Sequence, residues 1–228
     1  AYALAVRRYG ASPLRLAAFA ASQLLVVAVF VTPVGTLSLN YLLSAHLFQN
    51  VALAEWAPAL AVLGVGPAIG RALARHRVVR ALTRPFVALP FWLGTYGVWH
   101  IPAVYDAALR NGALLHLEHA NYFLAGLMLW WPVFQAEPHD LSSARKAVYV
   151  FAAFLLASPV GLFLALLPEP IYAFYEEAPR IWGISALTDQ QIAGVIMAGT
   201  EAVVFFAVFA VYVLRFLAEE ANDPPRLR

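Results

Sequence analysis

Cysteine is absent from the 228-residue chain. That excludes disulfides and thiolate ligands. Any metal must be held by imidazole, carboxylate, thioether or backbone oxygen, and the thioethers are few: Met128 and Met197 are the only methionines and read as packing residues. Charge is scarce as well. Asp, Glu, Lys and Arg make up 12% of the chain against 62% hydrophobic residues, about half the charge of a soluble domain. So little polar surface cannot cover a soluble globule of this length, and the composition points to a bilayer as solvent. No internal repeat, low-complexity tract or nucleophile–base–orienter pattern is present, so no enzyme is implied. Gly64-Val65-Gly66-Pro67 has glycines but lacks the lysine and helix of a phosphate loop, and reads as a turn.

What is present is a series of long apolar stretches. A spanning helix needs roughly 20 mostly apolar residues, because the hydrocarbon core is about 30 Å thick and a helix rises about 1.5 Å per residue. Six stretches qualify: 15–34, 42–65, 84–103, 114–134, 146–167 and 190–217. The first is too long for the core of a signal peptide and reads as a span. The expected fold is an all-α polytopic membrane bundle of about six helices, one domain over 1–228, with a solvated tail at Asn222-Asp223-Pro224-Pro225. Thirteen of the 15 Lys and Arg residues fall on one side of this topology. They are Arg7, Arg8 and Arg15; Arg71, Arg75, Arg77, Arg80 and Arg84; Arg145 and Lys146; and Arg215, Arg226 and Arg228. Only Arg110 and Arg180 fall on the other. The positive-inside rule makes the rich side, with both termini, cytoplasmic. The basic loop 71–84 is then a topology and lipid-headgroup signal, not a nucleic-acid surface.

The histidines follow this topology. His76 and His139 lie in cytoplasmic loops, whereas His46, His100, His116 and His119 lie near the outer face on three different stretches. His116 and His119 are three apart and share a helix face. Imidazole is a common ligand for copper, zinc and haem iron, so the four fit a metal site. The other reading is interfacial histidines bonded to loops or headgroups. Glu118 lies between two of them. Thr188-Asp189-Gln190-Gln191 reads as a capping box, with Thr188 as N-cap, and leaves Asp189 open as a partner that orients a histidine. Glu55 and Glu201 fall deep in their spans. There a carboxylate is costly and must face the interior, paired or protonated. They suit a proton, cation or metal relay, or simply interhelical hydrogen bonds.

Several blocks carry a resemblance. Trp99-His100-Ile101-Pro102-Ala103-Val104-Tyr105-Asp106-Ala107-Ala108-Leu109, then His116-Leu117-Glu118-His119 and Gly126-Leu127-Met128-Leu129-Trp130-Trp131-Pro132-Val133, resemble the CtaG family of caa-type cytochrome c oxidase assembly factors. Ser44-Ala45-His46-Leu47-Phe48-Gln49 and Leu187-Thr188-Asp189-Gln190-Gln191-Ile192-Ala193-Gly194-Val195-Ile196-Met197 are similar to further segments of that family, so the blocks run in order from about 44 to 200. The resemblance implies a multi-pass chaperone-like protein of the bacterial cytoplasmic membrane that helps mature a haem–copper oxidase of the respiratory chain. It implies copper as the ion handled and an oxidase subunit or periplasmic copper carrier as partner. The family's histidines map to His46, His100, His116 and His119. Two departures stand out. Asn50 occupies the place of a second helix-2 histidine, and Ala198-Gly199-Thr200-Glu201-Ala202 replaces a W-V-P-G-G pattern; Glu55 is likewise foreign to the pattern. They leave open a weakened site, one rebuilt with Glu, or none, the last fitting a metal-free structural subunit of a larger membrane complex. A haem-binding cytochrome using two of the same histidines is a further alternative.

Overall fold

The computed structural model describes residues 2–222; the tail at 223–225, Arg226 and Arg228 lie outside the described residues. Among the described residues the chain is all-helical, without strands. In order, the helices are α1 (Tyr2–Tyr9), α2 (Pro13–Val31), α3 (Pro33–Asn40), α4 (Leu43–Val51), a π-helical turn (Ala52–Trp56), α5 (Ala57–Gly64), α6 (Pro67–Ala74), α7 (Arg77–Leu82), α8 (Pro85–Trp99), α9 (Pro102–Arg110), α10 (Gly112–Phe134), α11 (Ser143–Leu166), α12 (Ala173–Glu177) and α13 (Ala186–Asn222). Proline opens five of them, at Pro13, Pro33, Pro67, Pro85 and Pro102. Its fixed φ suits the first helical position, and its missing N–H is an orphan there anyway. Asn111 caps α10 through Ala113 N and Leu114 N, at 3.0 and 3.3 Å.

Four helices are long and apolar enough to cross a bilayer: Pro13–Val31, Leu43–Gly64, Ser143–Leu166 and Ala186–Asn222. The stretch expected at 15–34 ends at Val31, where Thr32 turns extended before Pro33 starts α3. The stretch expected at 84–103 is a 15-residue helix that stops at Trp99, with Pro102 opening α9 at an angle to it. α10 runs 23 residues, but its His, Glu, Asn and Tyr residues lower its hydropathy. Large apolar side chains such as Leu24, Val31, Leu155, Leu166, Val195 and Val203 are exposed along α2, α11 and α13. A belt of that extent would not persist in water and suits lipid contact.

The π-helical turn has an identifiable cause. Pro58 has no N–H to give to the Ala54 carbonyl, and its ring pushes that carbonyl aside. The freed Ala54 oxygen instead accepts the Trp92 indole N–H at 3.2 Å. The Ala57 carbonyl accepts the Ser22 hydroxyl at 2.7 Å. Gly126 of α10 sits against the Ala54 oxygen and the Pro58 ring, where a Cβ has no room. The widened turn leaves four successive residues, Ala52 to Glu55, buried.

α11 and α13 form the most extensive helix pair. They approach through Gly161-xxx-Ala165 on one side and Gly194-xxx-Ala198 on the other, the small-residue spacing that lets membrane helices come close. A Cβ on Gly194 would lie 2.5 Å from both Ala165 N and Gly161 O, whereas nothing lies within 4 Å of one on Gly199. Gly194→Ala is therefore expected to lower the midpoint of thermal unfolding in detergent, by about 1–3 kcal/mol of overpacking. Gly199→Ala, which gains about 1 kcal/mol of helix propensity, is expected to leave it equal or higher.

Candidate metal centre

Three side chains from two helices converge beneath the α12 segment. His46 of α4 and Glu118 and His119 of α10 each offer a ligand atom within 4.8 Å of the others. His46 is 0% exposed, Glu118 1% and His119 8%. His46 Nε2 lies 3.8 Å from Glu118 Oε1, and the two imidazole rings are 5.8 Å apart.

The tautomer of His46 follows from its partners. Tyr175 donates its hydroxyl proton to the Ser38 carbonyl at 2.5 Å, because a carbonyl can only accept. The 2.8 Å contact between Tyr175 Oη and His46 Nδ1 then requires Nδ1–H as donor. Nε2 is left with its lone pair directed into the cluster, the state a ligating histidine needs. Burial first, then the carboxylates Glu118, Asp189 and Asp106, hold the Tyr175 phenol well above its usual pKa, so this proton stays in place. His100 shows the same logic: its Nδ1–H donates to the Tyr96 carbonyl at 2.8 Å, which frees Nε2.

The atoms left over point to a ligand. His46 Nε2, His100 Nε2, His119 Nε2 and Glu118 Oε2 are all buried without a hydrogen-bond partner. Leaving one buried polar atom unpaired costs about 1–3 kcal/mol, so four in one region are hard to account for unless something fills the gap. A tetrahedral ion with bonds of about 2.0–2.2 Å sets its ligand atoms roughly 3.4 Å apart, a small closure from the observed spacing. Two imidazoles and one carboxylate suit copper or zinc and leave a fourth position open. The donor set fits a metal.

The remaining candidates from the sequence are placed as follows. His116 is exposed and donates Nδ1–H to the Gly112 carbonyl at 2.5 Å; it stands outside the cluster. Glu118 stands inside it, as a direct donor. Asn50 gives its amide to Glu118 Oε1 at 2.9 Å, so the residue in place of a second imidazole orients the carboxylate instead. Asp189 touches no histidine. Its carboxylate accepts Leu43 N at 2.6 Å, Ser44 N at 3.1 Å and the Ser44 hydroxyl at 2.6 Å, capping the helix that carries His46. The cap of α13 is Ser185, whose Oγ accepts Thr188 N at 3.0 Å, in place of the box expected to start at Thr188. Glu55 and Glu201 are fully buried deeper in the bundle.

Sequence reasoning missed the supports of the segment 169–180. Asp106 accepts Ala173 N and Phe174 N, both at 3.1 Å, and so caps α12. Gln190 accepts Ile171 N at 2.8 Å and donates to the Glu169 carbonyl at 3.1 Å. Arg180 closes the segment by donating to the Tyr175 carbonyl. The ring pair Tyr105 and Tyr172, 4.3 Å between centroids, lies under it. The aromatic run from Tyr172 to Tyr175 was the available signal.

The sequence model of the family described as cytochrome c oxidase caa3 assembly factor (Caa3_CtaG) matches residues 1–219. The chain belongs to this family. No curated protein and no solved structure gives a significant match. The match covers nearly all of the described chain, so the centre and its supports lie within the part shared with the caa3 assembly factors.

Asp189→Asn keeps the shape of the cap but turns an amide N–H toward backbone donors. It is expected to destabilise the protein by about 1–3 kcal/mol, read as a lower unfolding midpoint in detergent. Gln191→Ala, on the half-exposed side of the same turn, is expected to leave the midpoint unchanged.

Proposed function

We propose that this caa3 assembly factor takes up a copper ion near the outer face of the bacterial cytoplasmic membrane and passes it on during maturation of a haem–copper cytochrome c oxidase. The observation that carries the reading is the set of buried, unpartnered ligand atoms on His46, Glu118 and His119, with His100 Nε2 likewise buried and unpartnered outside that group. Family membership supports the oxidase as destination. His46, Glu118 and His119 would hold the ion. His100 would offer a further imidazole, and His116, exposed on α10, would receive the ion from outside. The ion is cargo and no bond of a substrate is made or broken, so the role is not enzymatic. An incomplete ligand shell favours transfer by exchange over permanent storage.

The topology that goes with this reading has six passes: the four long apolar spans together with α8 and α10, both termini being cytoplasmic. The bias of Lys and Arg supports that orientation, and it puts the histidine cluster on the outer side. There the aromatic segment from Tyr172 to Trp182 would meet an oxidase subunit or a periplasmic copper carrier. Lipid would cover the apolar faces of α2, α11 and α13.

One observation favours a second reading. Asn50 replaces an imidazole, and its amide already satisfies one Glu118 oxygen, so the site has one nitrogen donor fewer than the resemblance implies. A metal-free structural subunit would follow. The two readings part on elemental analysis of detergent-purified protein after copper loading, with a visible spectrum alongside. About one copper per chain is expected, reduced severalfold or more in His46→Ala and His119→Ala and retained in His116→Ala. Tyr175→Phe, which removes the hydroxyl that fixes the His46 tautomer, is expected to weaken copper binding about 10–100-fold with helix content unchanged. No copper in the wild type, or undiminished copper in the His46→Ala/His119→Ala variant, contradicts the proposal. A haem-type absorption band would replace it with a cytochrome.

A further inference from the structure

Nine residues beyond His46, on the order of 14 Å along the helix, lies a second polar cluster that copper handling does not use. Glu55 sits in the π-helical turn and Glu201 on α13, both 0% exposed. Tyr96 of α8 donates its hydroxyl to Glu55 Oε1 at 2.6 Å. Three carboxylate oxygens remain buried without a partner: Glu55 Oε2 and both oxygens of Glu201. Ser158 of α11 lies beside Glu201, but its hydroxyl donates to the Phe154 carbonyl at 2.8 Å.

The two carboxyls are close enough to interact electrostatically. The titratable groups around them are Tyr96 on α8 and, beyond it, Tyr122 on α10. Among the described residues no Lys, Arg or His acts on either carboxyl. Two like charges in a low-dielectric interior without a counter-ion are not tenable. Something small and positive must accompany them. A proton on either carboxyl lowers the charge and turns one orphaned acceptor into a donor. A metal ion would find only these oxygens and one phenol, too few for a hard cation that takes about six oxygen ligands.

Hydroxyl-bearing rings lie between the pair and the histidine centre. The Tyr96 ring lies 5.6 Å from the Tyr122 ring. Tyr122 Oη is 3.5 Å from His100 Nδ1, and His100 is half-buried. π-helical turns are frequent at functional sites, and Glu55 lies buried in this one.

We propose that Glu55 and Glu201 form a second site, separate from the histidine centre, that holds an exchangeable proton in the middle of the bundle, with Tyr96 as its outward contact. The site is a proton store: a protonated carboxyl pair that gains and loses its proton through hydroxyl groups leading toward the outer face.

Infrared spectroscopy of the whole protein in liposomes tests this without any metal, so its outcome is independent of the copper reading. At neutral pH exposed carboxyls are ionised. The expected result is a carbonyl stretch of protonated carboxylic acid that shifts when the medium is changed to deuterium oxide and loses intensity in the Glu55→Gln/Glu201→Gln variant, any remainder belonging to the buried Glu118. Tyr96→Phe is expected to keep the band and slow its shift severalfold. The double variant is expected to bind as much copper as the wild type, since neither carboxyl belongs to the outer cluster. A wild-type spectrum without such a band overturns the proposal, as does a band of undiminished intensity in the double variant. A band that does not respond to deuterium oxide makes the pair a fixed hydrogen bond, and a band abolished by sodium makes the site one for a metal cation; either contradicts the proton store. If the double variant does not fold, the single substitutions Glu55→Gln and Glu201→Gln decide: each is expected to diminish the band, and an unchanged band in both overturns the proposal.

Discussion

One carboxylate ties the helix that carries His46 to the last long helix of the chain. Asp189, near the start of α13, accepts two backbone N–H groups and a hydroxyl at the start of α4, across 145 residues of sequence. The first N–H groups of a helix have no partner within it, and in a region closed to water they must find one. Asp189 meets that need, and as an anion it complements the positive end of the helix dipole. The same bonds fix the position and rotation of α4, and therefore of His46. Fully buried and multiply bonded, Asp189 acts on the histidine through its helix.

Around that anchor several supports share a form. A polar side chain satisfies an open backbone end: Asp106 at α12, Gln190 at the strap before α12, and Asn111 at the start of its own helix α10. The strap then delivers Tyr175 to His46. Unpartnered buried atoms also occur on Gln49, Asn50, Trp56, Tyr105, Trp130 and Tyr149, but those of His46, His100, Glu118 and His119 are imidazole and carboxylate atoms, the types that bind a metal.

Much of this was legible in the sequence. Scarce charge and long apolar runs gave a helical membrane protein, whereas Pro33 and Pro102, which open new helices, fell inside the expected stretches 15–34 and 84–103. The blocks around His100, His116 and Asp189 carried the family. Less legible was which face of α10 turns inward. His116 and His119 share a face by spacing, but the buried stripe runs through Glu118, His119, Tyr122, Gly126 and Leu129 and leaves His116 at its edge. Only the partner helix decides that: Gly126 must meet the Ala54 carbonyl and Pro58. Thr188 offered a good N-cap, yet Ser185 takes that place because α13 starts earlier. Pro58 held the signal for the π-helical turn in which Glu55 lies buried, but a proline in an apolar run predicts a break without saying how the freed carbonyl is satisfied.

The central claim is that two imidazoles and one carboxylate from α4 and α10 hold the ion. X-ray absorption at the copper edge of the loaded wild-type protein tests it most directly. Multiple scattering from two imidazoles, with the remaining bonds to oxygen at about 2 Å, is the predicted result. A shell with sulfur, a shell with a single imidazole or none, or a protein that takes up no copper would contradict it.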